Sequence, residues 1–309
     1  MSKVEVEKLK TLTGHRDAIY CLEAGPAAGQ FFSAAGDGMI VQWDLTYPED
    51  GELIAKLPNS VYALHRLDNN LLVAGHNYDG IHLLNWKSKK EEASLHLGAA
   101  ALFDIKSFQH FIIVAGGDGM IYKISQQNWR VEAKIRASEK SARCLAINPR
   151  RGELAVGFSD NYIRIYDLAN LSLKQEWQAH TNSVFTLSYT PNQQYLISGS
   201  RDARLKAWDA EANYTLANEV VAHLFAINHI AFSPDQKHFV TCSMDKSIKV
   251  WDAAEMKLLK VIDKARHAGH GTSVNKLLWT PFFDQLVSAS DDRTISVWKL
   301  FFKLHTNQS

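Results

Sequence analysis

Four times along this chain of 309 residues a histidine is followed 18 positions later by Ser or Thr, 22 later by Asp and 28 later by Trp. The sets are His15, Ser33, Asp37, Trp43; His180, Ser198, Asp202, Trp208; His223, Thr241, Asp245, Trp251; and His270, Ser288, Asp292, Trp298. Ser, His and Asp are the ingredients of a hydrolytic triad, in which an imidazole takes the nucleophile's proton and a carboxylate orients the ring. Repetition argues for another role. A catalytic constellation is needed once, and four copies in register are a structural part. A carboxylate in a tight turn beside a buried imidazole and indole needs partners, and once satisfied it fixes the loop that carries it.

The elements that would hold such a set are short strands. In the clearest unit, Ala179 to Asp209, SVFTLSY alternates with period two, TPNQQ is a turn, YLISGS is a second strand, RDAR a tight turn and LKAWD a third strand. EANYTLANEVV then supplies a turn and a fourth strand before the next Ala-His. Third-strand endings recur at residues 44, 85, 125, 167, 209, 252 and 299, in steps of 41, 40, 42, 42, 43 and 47. Seven copies of a four-stranded meander describe a repeat array read as one domain over 1–309, because each unit buries its faces only against its neighbours.

A Gly-His before the first strand, Ser or Thr in the second, Asp in the next turn and Trp in the third resemble the WD-repeat family over essentially the whole chain. That resemblance implies an all-β, seven-bladed propeller of four-stranded antiparallel blades. It also implies that the four His, Ser/Thr, Asp, Trp sets are hydrogen-bonded within their blades. Blades two to four depart from the pattern. Their turn residues Asp79, Asp118 and Asp160 remain, but Leu84, Ile124 and Tyr166 stand in the Trp position, and Val114 and Val156 replace Ser/Thr in blades three and four. These blades are expected to be packed with apolar residues instead. The last unit leaves little room for a fourth strand after Trp298-Lys299, so residues 4–12 are expected to complete the last blade and remove its exposed edge.

Composition narrows the function. Hydrophobic residues make up 46% of the chain and charged ones 22%, with no apolar run long enough to span a bilayer. No membrane association is expected, and with no secretory signal recognisable in MSKVEVEKLKTL the cytoplasm is the expected default location. The 34 basic and 33 acidic residues are interspersed and give a net charge of +1, which leaves no general nucleic-acid surface. Cys21, Cys144 and Cys242 sit in strand-like stretches at no ligand spacing and are expected to be buried thiols without disulfides. No phosphate loop, His-Glu metal motif or nucleophile elbow occurs, so neither an enzyme nor a cofactor or metal is expected. His267 and His270 with Asp291 could be imagined as a metal site, but His270 already belongs to a blade set.

The resemblance implies a partner on the narrow face of the ring, formed by the loops that enter the first strands and the turns that carry the Asp. Two positions per blade report on that face: the residue after the first apolar residue of strand one, and the residue before the turn Asp. Around the ring they are Tyr20 and Gly36, Tyr62 and Tyr78, Phe103 and Gly117, Arg143 and Ser159, Phe185 and Arg201, Asn228 and Met244, Asn275 and Asp291. Tyr20, Tyr62, Tyr78 and Phe103 form an aromatic arc, continued by Arg143, Phe185 and Arg201. Aromatic and Arg side chains anchor protein interfaces. Two arginines beside an aromatic floor suit a peptide with an acidic or phosphorylated residue next to an apolar anchor. The function expected is a non-catalytic interaction scaffold or adaptor, free or within a larger complex. A small-molecule or glycan binder, or an enzyme using the central channel, are the alternatives.

Overall fold

The period-two alternation becomes, in the computed structural model, twenty-eight strands in seven antiparallel four-stranded sheets, with residues 3–303 described. The innermost strands are Ile19–Ala24, Val61–Arg66, Leu102–Phe108, Ala142–Asn148, Val184–Tyr189, Ile227–Phe232 and Val274–Trp279. Each packs against the innermost strand of the next blade, and that of blade seven packs against that of blade one, so the ring is closed. Six blades are sequential meanders. In the seventh, Lys3–Leu12 is the outermost strand and pairs with Ile295–Lys303, from Lys3 opposite Lys303 to Leu12 opposite Ile295. Closure by the N-terminal strand therefore covers what would have been an open edge. The third strand of this blade runs four residues past Lys299, and Leu300 of that extension is buried.

Each of the seven blade-to-blade interfaces holds one hydrophobic cluster. The cluster between blades seven and one joins Leu12, Ile19, Phe31 and Trp43 to Val287, Ala289 and Val297. Close approach of neighbouring sheets explains a regularity in the second strands, whose fifth residue is always small: Ala34, Gly75, Ala115, Gly157, Gly199, Cys242 and Ala289. At Gly199 an added Cβ would lie 2.8 Å from the Ile227 side chain of the next blade. A larger residue there would push two sheets apart.

The 47-residue step into blade seven contains a one-turn helix, Lys264–His267, capped by Asp263, whose carboxylate accepts from the Arg266 amide at 2.9 Å. Lys8 of the closing strand donates to the Ala268 carbonyl at 2.8 Å, which ties this insertion to the outermost strand. Among the described residues, no helix is long and apolar enough to cross a membrane. The three cysteines are buried and free.

Candidate functional site

The repeated sets occupy one end of blades one, five, six and seven. In blade five Trp208 Nε1 donates to Ser198 Oγ at 2.9 Å, Ser198 Oγ lies 2.8 Å from His180 Nε2, and His180 Nδ1 lies 3.0 Å from Asp202 Oδ2. A carboxylate only accepts, so Nδ1 carries the proton and Nε2 of the neutral ring accepts from the serine hydroxyl. Blades one, six and seven repeat this chain through His15, His223 and His270. Burial raises the pKa of Asp202, but the hydrogen bond and charge of His180 and the amides of Thr181 and Arg204 outweigh it and leave it well below the usual carboxylate range. Each serine or threonine oxygen is already shared between a histidine and an indole. These bonds tie each loop histidine to the second and third strands and to the turn Asp of its blade.

Blades two to four are not simply apolar, which corrects the expectation for them. In blade four Ser138 takes the place of the loop histidine and donates to Asp160 Oδ2 at 2.7 Å, while Arg164 reaches the same oxygen at 2.8 Å over the Phe158 ring. Ionic bonds here do what the imidazole does elsewhere. In blade three Tyr122 donates to the Leu97 carbonyl at 2.9 Å. Blade two buries His76 and His82 behind Asp79. Apolar Ala74 and Leu84 do replace Ser and Trp in that blade, but its third strand brings in a new polar residue where blade one has Val41.

The predicted face is built by one backbone device. In all seven blades the pairing of the first two strands slips by one residue near its start: between Ile19 and Cys21, Val61 and Ala63, Leu102 and Asp104, Ala142 and Cys144, Val184 and Thr186, Ile227 and His229, and Val274 and Lys276. The residue left over at each bulge is Tyr20, Tyr62, Phe103, Arg143, Phe185, Asn228 or Asn275. A bulge re-aims its side chain, here toward the mouth of the central channel.

These bulged residues touch in series. The Tyr20 and Tyr62 rings are 4.6 Å apart and those of Tyr62 and Phe103 5.9 Å. The Arg143 guanidinium lies 4.3 Å from the Phe103 centroid and 5.1 Å from that of Phe185. It also donates through Nε to Ser159 Oγ at 3.0 Å. Burial lowers the Arg143 pKa, and the positive charge of Arg201 adds to that effect. An anion set between the two arginines would relieve their repulsion. Burial and the neighbouring Tyr62 push the Tyr20 hydroxyl up to about 12, so it remains a neutral donor.

Other predicted positions are arranged differently. Tyr78 stands apart from the ring series, 66% exposed on its turn with φ of +74°. Arg201, Met244 and Asp291 are exposed on equivalent turns. Asn228 and Asn275 brace neighbouring blades: Asn228 Nδ2 donates to the Val274 carbonyl at 2.8 Å, and Asn275 Nδ2 to the Ile19 carbonyl at 3.0 Å and to Asp291 at 2.7 Å. Beside Met244 the structure adds two residues not anticipated, Leu224 and Phe225, 81% and 60% exposed. Their signal was an apolar pair directly after a loop histidine, where the other intact sets have Arg16-Asp17, Thr181-Asn182 and Gly271-Thr272. The imagined metal set is not assembled through His270, since both its ring nitrogens are engaged by Asp292 and Ser288.

Below the arc, the channel wall is charged. Asp104, Lys106, His229 and Lys276 line both of two cavities of about 240 and 130 Å³, Glu23 lines the larger, and His65 Nδ1 lies 3.5 Å from Glu23 Oε1. Each carboxylate there is compensated. Asp104 accepts from the amides of Ile105 and Leu145 and lies 3.3 Å from Lys106 Nζ, while Glu23 accepts from the Arg66 amide at 3.1 Å.

A closed ring of seven four-stranded blades with a hydrogen-bonded His, Ser/Thr, Asp and Trp set in four of them defines a repeat propeller. The chain belongs to the WD domain, G-beta repeat family, whose model matches residues 6–44, 171–209, 215–252 and 261–299. Those four segments end on the third strands of the four blades with complete sets. Among curated relatives, striatin of Mus musculus is 25% identical over 68% of this chain and 30% of its own length. The WD repeat-containing protein 91 homolog of Dictyostelium discoideum is 23% identical over 66% of this chain and 28% of its own length. The THO complex subunit 6 homolog of Danio rerio is 24% identical over 46% of this chain and 50% of its own length. The chain thus spans under a third of the first two relatives and half of the third.

Proposed function

We propose that this chain is a non-catalytic interaction scaffold that captures a protein segment on the face surrounding the channel mouth. The observation that carries this reading is the continuous series Tyr20, Tyr62, Phe103, Arg143, Phe185, placed by the same bulge in five successive blades. Half-buried aromatic rings with a guanidinium sandwiched between them offer rigid area at little cost in side-chain entropy, which is what a binding hot spot requires. Arg143 and Arg201 select an acidic or phosphorylated residue in the captured segment. Leu224, Phe225 and Met244 offer a second apolar contact on the same face. A non-catalytic role agrees with the fully engaged hydroxyls of the blade sets and with the compensated carboxylates of the channel. One relative is by its name a subunit of a complex, which agrees with work as a subunit here. We place that work in the cytoplasm.

The test is capture of partners from native extract by the wild-type chain and by the double variant Arg143→Glu, Tyr62→Ala, with both checked by thermal melting. The double variant should lose specific partners while remaining folded. Undiminished capture of the same partners would refute the assignment of this face.

A further inference from the structure

Blade two carries a cluster of ligating side chains for which neither the blade sets nor the proposed binding face has a use. His76 ends the second strand, Leu71–His76, Asp79 lies in the turn, and His82 is in the third strand, Gly80–Asn85. His76 is fully buried and His82 is 8% exposed. Their rings stack at 4.7 Å with Nε2 facing Nε2 at 2.7 Å. The other nitrogens fix both tautomers. His76 Nδ1 lies 2.7 Å from the Asn77 carbonyl oxygen and His82 Nδ1 2.9 Å from Glu91 Oε1, and neither oxygen donates. Both Nδ1 atoms therefore carry the protons, and two Nε2 lone pairs converge on one point. Asp79 Oδ2 faces the same point from 3.9 Å and 3.7 Å.

Two lone pairs and a carboxylate directed at one another repel unless a positive centre lies among them. The outer contacts match those that orient metal ligands, a carbonyl behind one imidazole and a carboxylate behind the other. Tetrahedral Zn²⁺ with bonds near 2.1 Å holds its ligand atoms roughly 3.4 Å apart, and the three separations here straddle that value. His96 reaches Asp79 Oδ1 at 3.1 Å and steadies the carboxylate from the solvent side. We propose that His76, His82 and Asp79 form a binding site for a divalent transition-metal ion of the Zn²⁺ type. Imidazole donors favour such an ion over Mg²⁺ or Ca²⁺. The fourth coordination position opens toward the half-exposed Asp79 turn, next to Tyr78, so water or a side chain from a captured partner can fill it.

The probe is Zn²⁺ itself, titrated calorimetrically into tag-free full-length chain previously dialysed against a chelator. Co²⁺ absorption reads the geometry. One equivalent should bind with micromolar or tighter affinity, raise the melting temperature and give the visible bands of a four- or five-coordinate Co²⁺ site. His82→Gln should weaken binding at least 100-fold. Asp79→Asn, on a half-exposed turn and therefore safe for folding, should weaken it at least tenfold, and Glu91→Gln, behind His82, by 10- to 100-fold. Absence of stoichiometric binding, or binding unchanged in Asp79→Asn and His82→Gln, would overturn the proposal. The imidazole pair would then hold a shared proton instead.

Discussion

Asp202→Ala tests the claim that the triad-like sets hold loops. The Asp202 carboxylate accepts from His180 Nδ1 at 3.0 Å and from the amides of Thr181 and Arg204, each at 3.0 Å. The His180 side chain is fully buried, so truncation leaves its N–H without a partner, at about 1–3 kcal/mol. Thr181 is exposed and Arg204 half-buried, so water recovers part of the two amide bonds, and their loss adds roughly 1 kcal/mol. The expected total is about 2–4 kcal/mol, read as a lower urea midpoint at unchanged slope by tryptophan fluorescence. Asp209→Ala is the control. Its carboxylate only caps an exposed turn through the amides of Glu211 and Ala212, and about 1 kcal/mol or less should be lost. A double-mutant cycle with His180→Phe should show coupling of at least about 1 kcal/mol. A loss under about 0.5 kcal/mol for Asp202→Ala, or no coupling to His180, would refute the reasoning.

Deleting residues 3–12 removes the buried Val4 and Leu12, worth roughly 1.5–3 kcal/mol each, and bares the edge of Ile295–Lys303. A large fall in melting temperature with concentration-dependent association in light scattering should follow, and a monomer of unchanged stability would contradict closure by this strand. His65 should make the fold acid-sensitive. Burial, with Lys106 and Arg66 opposing the help of Asp104, lowers its pKa from 6.5 to about 4. The unfolded chain therefore takes up this proton first. The stabilisation is complete above pH 6.5 and fades as pH falls toward 4, by roughly 3 kcal/mol over that span. Urea midpoints between pH 7 and 4.5 should fall more steeply in wild type than in His65→Gln. Cys21, whose thiol burial pushes up to about 12, and the equally buried Cys144 and Cys242 should resist a thiol reagent in native buffer and react fully in denaturant.

The architecture was legible because each intact blade carries a polar set at fixed spacing, and four copies fix the register of the worn blades between them. What escaped is chemistry that changes residue type while keeping its purpose. Asp160 is satisfied by Ser138 and Arg164, and no spacing rule equates a guanidinium from the third strand with an imidazole from a loop. The His76, Asp79, His82 cluster reads as an ordinary turn until the pairing of the second and third strands places both rings on one face. At the proposed binding face, the sequence located the seven inward positions but not the bulge that turns them to the channel mouth. Nor could it separate Asn228 and Asn275, whose amides brace neighbouring blades, from Tyr62 and Arg143, which stack in series with the neighbouring rings.

The most direct test of the interaction face is amide hydrogen exchange on the chain with and without a captured partner. Binding at the channel mouth should slow exchange around Tyr20, Tyr62, Phe103, Arg143 and Phe185 and on the turns before Asp79 and Asp202, leaving the outermost strands unchanged. Protection confined to outer strands such as Lys90–His96 or Thr215–Val221, with the bulged residues unaffected, would contradict it.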